Sequence, residues 1–277
     1  MQARPGLTPA AAAAAIENPG PVPAALLSAD RVVKRFGGVA AVDGVSFSLA
    51  RGEILGLIGP NGAGKTTLFD CLAGSQAPTS GRILLDGRPI ERLPAHRRLA
   101  AGLGRTFQIP RPFPQMTLLE NVLLGCQHLA GERILPNWLS PGAVARAERE
   151  ARDKAMALLD FVALAKLAHQ PARVLSGGQR KLLELARVLM AEPALILLDE
   201  PAAGVNPSLL ETIIERIAEL NRRGTTILLI EHNMDLVSRL CGRVLVLASG
   251  RLLTEGPPAE VARDRRVIEA YLGGAAA

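Results

Sequence analysis

Aromatic side chains make up only 3% of this 277-residue chain, with one Trp, one Tyr and six Phe. Too few rings are present for a base-stacking platform, and the core has to be packed by Leu, Ile, Val and Ala. Cysteine is equally scarce. Cys71, Cys126 and Cys241 are isolated, odd in number and without C-x-x-C spacing. That excludes a disulfide framework or a thiolate zinc site and fits reduced thiols in a cytoplasm. No apolar run reaches the roughly 18 residues of a membrane-spanning helix. A basic segment leading into an unbroken apolar stretch is also missing near the start, so no secretory signal is expected.

What is present is aliphatic and mildly basic. Hydrophobic residues reach 48%, enough for one large or two modest domains. The net charge of +6 invites a nucleic-acid reading, but the arginines are scattered among acidic residues. A polyanionic ligand, an anionic membrane surface or plain Arg/Ala compositional bias accounts for it equally well. Residues 1–26 are Ala/Pro-rich, with a run of alanines and then Asn18-Pro19-Gly20-Pro21, and read as a flexible extension.

From residue 27 the pattern becomes structured. Arg31–Lys34, Val45–Leu49 and Arg82–Asp86 read as an antiparallel group, with turns at Gly81 and Asp86-Gly87. Residues 117–190 are mostly helical, interrupted by a loop patch around Pro136, Trp138 and Pro141. Ala194–Leu198, Thr225–Ile230 and Val244–Leu247 are apolar on both faces, as in a buried parallel sheet. Helices at 207–222 and 233–240 alternate with them, and a terminal helix ends near Tyr271-Leu272.

One stretch organises the rest. The apolar run Ile54–Ile58 leads into Gly59-Pro60-Asn61-Gly62-Ala63-Gly64-Lys65-Thr66-Thr67 and then a helical segment. Strand, glycine loop and helix is the setting in which G-x-x-x-x-G-K-[ST] cradles phosphate. The glycines let successive N–H groups turn inward, and the helix start adds positive field. Lys65 is placed to reach the β- and γ-phosphates and the Thr66 hydroxyl to ligate Mg²⁺.

Two further pieces follow. Asp199-Glu200 ends an aliphatic strand, at the edge where open parallel sheets bind ligands. Asp199 suits Mg²⁺, and Glu200, pointing differently, suits deprotonation of an attacking water. Leu175-Ser176-Gly177-Gly178-Gln179 precedes a helix, Arg180 to Met190, with Ser176 as N-cap. Free N–H groups there form a second anion-binding device, although in isolation the segment is also an ordinary helix start. His232, after the strand ending at Ile230-Glu231, and Gln108 carry little information alone.

In this order the pieces resemble the nucleotide-binding subunit of an ABC transporter, from about residue 27 onward. The resemblance implies an α/β fold: a P-loop NTPase core with a mixed sheet flanked by helices, an antiparallel β subdomain and an inserted helical subdomain. The core with its β subdomain would comprise 27–108 and 191–255, the helical subdomain 109–190 and the tail 256–277. It implies that Phe36 stacks on adenine and that Gly59 to Thr67 bind ATP. It makes Gln108 a contact to Mg²⁺ or the lytic water, Asp199 the metal-associated carboxylate, Glu200 the catalytic base and His232 the switch histidine. Ser176, Gly177, Gly178 and Gln179 would bind the ATP of a second ATPase subunit, the same chain or a related one, in a head-to-tail pair.

Arg105–Gln108, Met116–Val122, Glu200–Pro207, Glu231–Met234 and Val267–Gly273 are similar to the longer ATPase of branched-chain amino acid importers. That branch implies polytopic permease subunits, a periplasmic solute-binding protein and a place on the cytoplasmic face of a bacterial inner membrane, with no nucleic-acid partner. Relatives handling urea or amides, lipopolysaccharide exporters and soluble non-transport ABC ATPases are the alternatives. A single cassette with a short insertion disfavours the soluble class. Two residues depart from the pattern. Asn206 replaces an interfacial Asp and suits an N-cap before Pro207. Cys241-Gly242-Arg243 replaces a more usual Asp-Arg, which puts a local salt bridge in doubt.

Overall fold

The computed structural model describes residues 25–127 and 140–273. The alanine-rich stretch up to residue 24, and Pro136 and Trp138 of the expected loop, lie outside the described residues.

A hairpin opens the fold, β1 (Ala25–Phe36) against β2 (Val39–Ala50). Ala25 and Leu26, assigned above to the extension, are therefore in the sheet, and Leu26 is buried. β4 (Ser80–Leu85) and the two-residue β5 (Arg88–Pro89) complete an antiparallel sheet in the order β2-β1-β4-β5. Asp86 and Gly87 both take positive φ, the conformation that closes a two-residue hairpin. Gly81 is not a turn as expected. It sits inside β4 at φ 93°, and a Cβ there would meet the Arg31 carbonyl oxygen at 2.4 Å. The residue marks an irregularity in the β1–β4 register.

The second sheet carries the functional edge. β3 (Ile54–Ile58), β6 (Leu103–Arg105), β7 (Leu195–Asp199), β8 (Thr226–Ile230), β9 (Arg243–Ala248) and β10 (Arg251–Gly256) lie in the order β10-β9-β3-β8-β7-β6. All neighbours are parallel except β10 on β9. Successive strand residues serve opposite faces. Ile54, Ile58, Ile196, Leu198, Ile227 and Leu229 join a helical core on one side. Leu55, Leu57, Leu195, Leu197, Leu228 and Ile230 join a second core shared with the antiparallel sheet. Among the described residues the buried aromatics are Phe47 and Phe69, and apart from Cys71, Cys241 and Met190 the rest of the core is aliphatic, as the composition requires.

Among the described residues the α-helices are α1 (Lys65–Ala73), α2 (Ala95–Ala100), α3 (Leu118–Leu123), α4 (Pro141–Phe161), α5 (Gly177–Leu189), α6 (Pro207–Arg222), α7 (Met234–Leu240), α8 (Pro258–Val261) and α9 (Arg265–Gly273). Pro141, expected in a loop, is the first residue of α4, where a missing N–H costs nothing. α5 likewise begins at Gly177 rather than Arg180, so both glycines lie in its first turn. Asn206 caps α6, its side chain accepting from Leu209 N at 2.9 Å. Arg243 bonds Glu53 at 2.9 Å and reaches Glu255, so an ion pair is kept beside Cys241. The three cysteines are free. Burial pushes the Cys71 thiol up to about 11 and that of Cys241 up to about 12.

Arg98 of α2 is 1% exposed. Its guanidinium donates to the carbonyls of Cys71 (2.6 Å), Leu72 (2.7 Å), Leu93 (2.8 Å) and Glu91 (3.0 Å). Two of those carbonyls belong to the last turn of α1, where a cation also complements the helix dipole. The helix that starts at the glycine loop is thus anchored at its far end.

Candidate functional site

The glycine loop bridges β3 and α1. A Cβ on Gly59 would lie 2.1 Å from the Leu247 carbonyl oxygen, and one on Gly64 would lie 2.2 Å from that of Ala41. Both residues have positive φ, 149° and 97°, so close backbone approach and conformation together demand glycine. Gly250 locks the arrangement, donating to Ala63 O at 3.0 Å and accepting from Asp43 N at 2.8 Å. Gly64 is the N-cap of α1 and supplies no side-chain cap. The first N–H groups of the helix therefore face the loop without a side-chain acceptor, as an anion cradle requires.

Lys65 bends back over this loop, donating to Gly59 O at 2.7 Å and Pro60 O at 2.9 Å. Burial holds its ammonium below the usual lysine range, while the nearby Glu200 and Asp199 carboxylates pull it back up. Thr66 lines a cleft of about 720 Å³ together with Arg105, Gln108 and Asp199. The residues expected at a metal, Thr66, Gln108 and Asp199, therefore line one cleft. Phe36 stands at the tip of the β1–β2 hairpin, 47% exposed, with Lys34 Nζ 5.1 Å from its ring centre. β2 also carries Ala41 against Gly64, which places this hairpin beside the loop.

Asp199 is 3% exposed at the end of β7. Its carboxylate accepts from Arg105 at 3.2 Å, and Arg105 also bonds Asp70 of α1 at 2.6 Å. Burial raises the Asp199 carboxyl despite Arg105, and Glu200 and Asp70 push the same way. Glu200 then leaves the strand with φ 47°, an uncommon conformation for a residue with a Cβ and a frequent one at functional sites. Its carboxylate accepts from Gln108 Nε2 at 2.8 Å and sits 3.1 Å from His232 Nε2. Two residues that carry little alone, Gln108 and His232, meet at one carboxylate.

Sequence reasoning missed the supports. Glu231 is buried and accepts from the backbone of Ala202 (2.7 Å), His232 (3.0 Å) and Asn233 (3.2 Å). It ties the loop after Glu200 to the loop bearing His232. The available signal was an acid directly following an entirely buried strand, which needs a partner. Arg105 and Lys181, the latter donating to Glu200 O at 2.6 Å, gave no local signal because their partners are distant in sequence.

Ser176 caps α5 and forms a capping box with Gln179, at 3.3 Å and 3.0 Å. Gly177 is exposed with open space around it, whereas a Cβ on Gly178 would lie 2.4 Å from Leu209 Cδ2. Among the described residues no hydrogen bond joins 176–179 to 59–67.

The residues present fit Mg²⁺ with a nucleoside triphosphate. A backbone cradle and one lysine suit the phosphates, and a hydroxyl, an amide and a carboxylate border one cleft. Mg²⁺ is characteristically held by one or two protein oxygens plus phosphates and water. Among the described residues no cluster of three His, Cys, Asp or Glu side chains would hold an ion unaided.

Fold and site define a phosphate-loop ATPase cassette. The family model described as ABC transporter matches residues 42–203, and that described as branched-chain amino acid ATP-binding cassette transporter matches residues 251–277. The chain belongs to the ABC transporter ATP-binding family, whose members hydrolyse ATP. It is 43% identical over 251 residues to the high-affinity branched-chain amino acid transport ATP-binding protein LivG of Salmonella typhimurium, covering 90% of this chain and 98% of that one. A crystal structure of a nucleotide-free ATP-binding cassette from an ABC transporter superposes with a TM-score of 0.78 at 36% identity, covering 89% of this chain and 98% of the other. A dimeric post-hydrolysis cassette bound to ADP and Pi superposes with a TM-score of 0.70 at 26% identity, covering 84% and 98%. Among the described residues no helix is long and apolar enough to cross a membrane.

Proposed function

We propose that this chain hydrolyses Mg-ATP in a head-to-tail pair of cassettes that drives import of branched-chain amino acids. The observation that carries the reading is Glu200, turned out of β7 by its positive φ and held by Gln108 and His232 in a site that contains Lys65. Gly59 to Thr67 bind the phosphates, Phe36 packs on the adenine, and Ser176, Gly177, Gly178 and Gln179 close over the nucleotide of the second subunit. Thr66, Asp199 and Gln108 would hold Mg²⁺, which neutralises phosphate charge when bound. Glu200 takes a proton from the attacking water, and His232 and Gln108 fix its carboxylate.

The dimeric relative supports the pairing, and the LivG relative's name supports the solute. Among the described residues no helix spans a membrane. The importer reading supplies the path through polytopic permease subunits, with a periplasmic solute-binding protein delivering solute and this chain seated on the cytoplasmic face of the inner membrane. The test is reconstitution with the permease and binding protein in liposomes. Leucine uptake should follow internal Mg-ATP and vanish in Glu200→Gln; uptake of a urea or amide solute instead would reject the assigned cargo.

A further inference from the structure

Helix α5 touches the catalytic centre at two points beyond its capped end. Lys181 and Glu184 are three residues apart and share a face. Lys181 Nζ donates to the Glu200 carbonyl at 2.6 Å, and the Phe107 N–H donates to Glu184 Oε1 at 2.6 Å. Phe107 immediately precedes Gln108. One helix therefore grips, by their backbones, the segments carrying both members of the Gln108–Glu200 pair. Glu184 is 6% exposed, and its second oxygen has no partner. Glu184 lines a small cavity bordered by Thr106, Lys181, Leu198 and Asp199. A buried carboxylate left half satisfied is costly, and packing alone would be served better by an apolar side chain.

We propose that Lys181 and Glu184 are positioning residues that set the Gln108–Glu200 geometry from α5. A shift of α5 when its Ser176 end meets an anion then moves Gln108 and Glu200 together. This rests on the reading of Glu200 as base and Ser176 as a nucleotide contact, and it deepens that reading. Neither side chain reaches the cradle residues through a hydrogen bond, so their effect falls on turnover rather than on nucleotide affinity.

The test uses the full chain and steady-state Mg-ATP hydrolysis. Glu184→Met and Lys181→Met should each lower kcat about tenfold, as expected for a misplaced catalytic group, with KM changed less than about twofold. Glu184→Gln keeps an acceptor for Phe107 N–H and should recover kcat to within about twofold of the parent. Hydrogen exchange of a peptide spanning 105–109 should accelerate in Glu184→Met, not in Glu184→Gln, while 59–67 stays unchanged. If Glu184→Met does not fold, Lys181→Met carries the kinetic test from the other contact. Parental kcat in both Met variants, or a Gln variant as slow as the Met variant, overturns the proposal. If the parent's turnover proves insensitive to Glu200→Gln, the site reading fails instead, so the two failures are distinguishable.

Discussion

Gln108 donates its side-chain amide to the Glu200 carboxylate over 2.8 Å, although 92 positions separate them. The bond joins the loop after β6 to the loop after β7, and His232 meets the other carboxylate oxygen from the loop after β8. Three strand ends converge on one carboxylate, and the consequences can be measured.

Glu200→Gln keeps the shape and the contacts but cannot accept a proton. Hydrolysis should fall at least about a hundredfold, in the range of a lost general base, while Mg-ATP binding persists. Gel filtration with ATP should show an accumulated dimer; normal turnover in this variant would reject Glu200 as the base.

Lys65→Met removes a desolvated cation from the loop mouth. Affinity for Mg-ATP should weaken at least about tenfold, the scale of one charge-assisted contact. The relief of burial is offset by the Gly59 and Pro60 carbonyls losing their donor, so the melting temperature should move less than about 4 °C. Equilibrium binding of a fluorescent nucleotide alongside a melting curve checks both.

Burial pushes the Glu184 carboxyl up to about 7, against backbone bonding from Phe107 and the charges of Arg187, Lys181 and Arg105. The folded chain thus binds this proton more tightly than the unfolded chain. From about pH 4.5 to about 7 the group costs progressively more stability as pH rises, and the cost then levels off. Glu184→Gln removes that cost. Its stability relative to the parent should increase from pH 5 to pH 8 in paired denaturant titrations, and a constant difference would reject the shifted carboxyl.

Arg98→Met strips four carbonyls of their donor. A loss of about 3–5 kcal/mol is expected from several buried carbonyls left without a donor, seen as a lower denaturant midpoint. Because two of those carbonyls end α1, KM for ATP should rise as well. Arg98→Lys, with fewer donors in a different geometry, should recover only part of the loss.

The features legible in the sequence were the local ones. β3, the glycine loop and α1 follow each other without interruption, and β7 and β8 are aliphatic runs too apolar for an exposed segment. Asn206 before Pro207 announced its own cap. β6 was missed because Leu103-Gly104-Arg105 is short and contains a glycine, and it becomes a strand only beside β7. Gly81 looked like punctuation, because the Arg31 carbonyl that crowds it lies far away along the chain. Arg98, Lys181 and Glu184 were invisible for the same reason: each is an ordinary charged residue until folding surrounds it with distant backbone groups.

The division of Leu195, Leu197, Ile196 and Leu198 between two separate oily compartments acts as a ruler. Sliding β7 by one position along β8 would exchange every one of them for a neighbour facing the wrong way. No adjacent alignment is available, and the pairing of Asp199 with Ile230 is fixed by greasy side chains buried in the two cores.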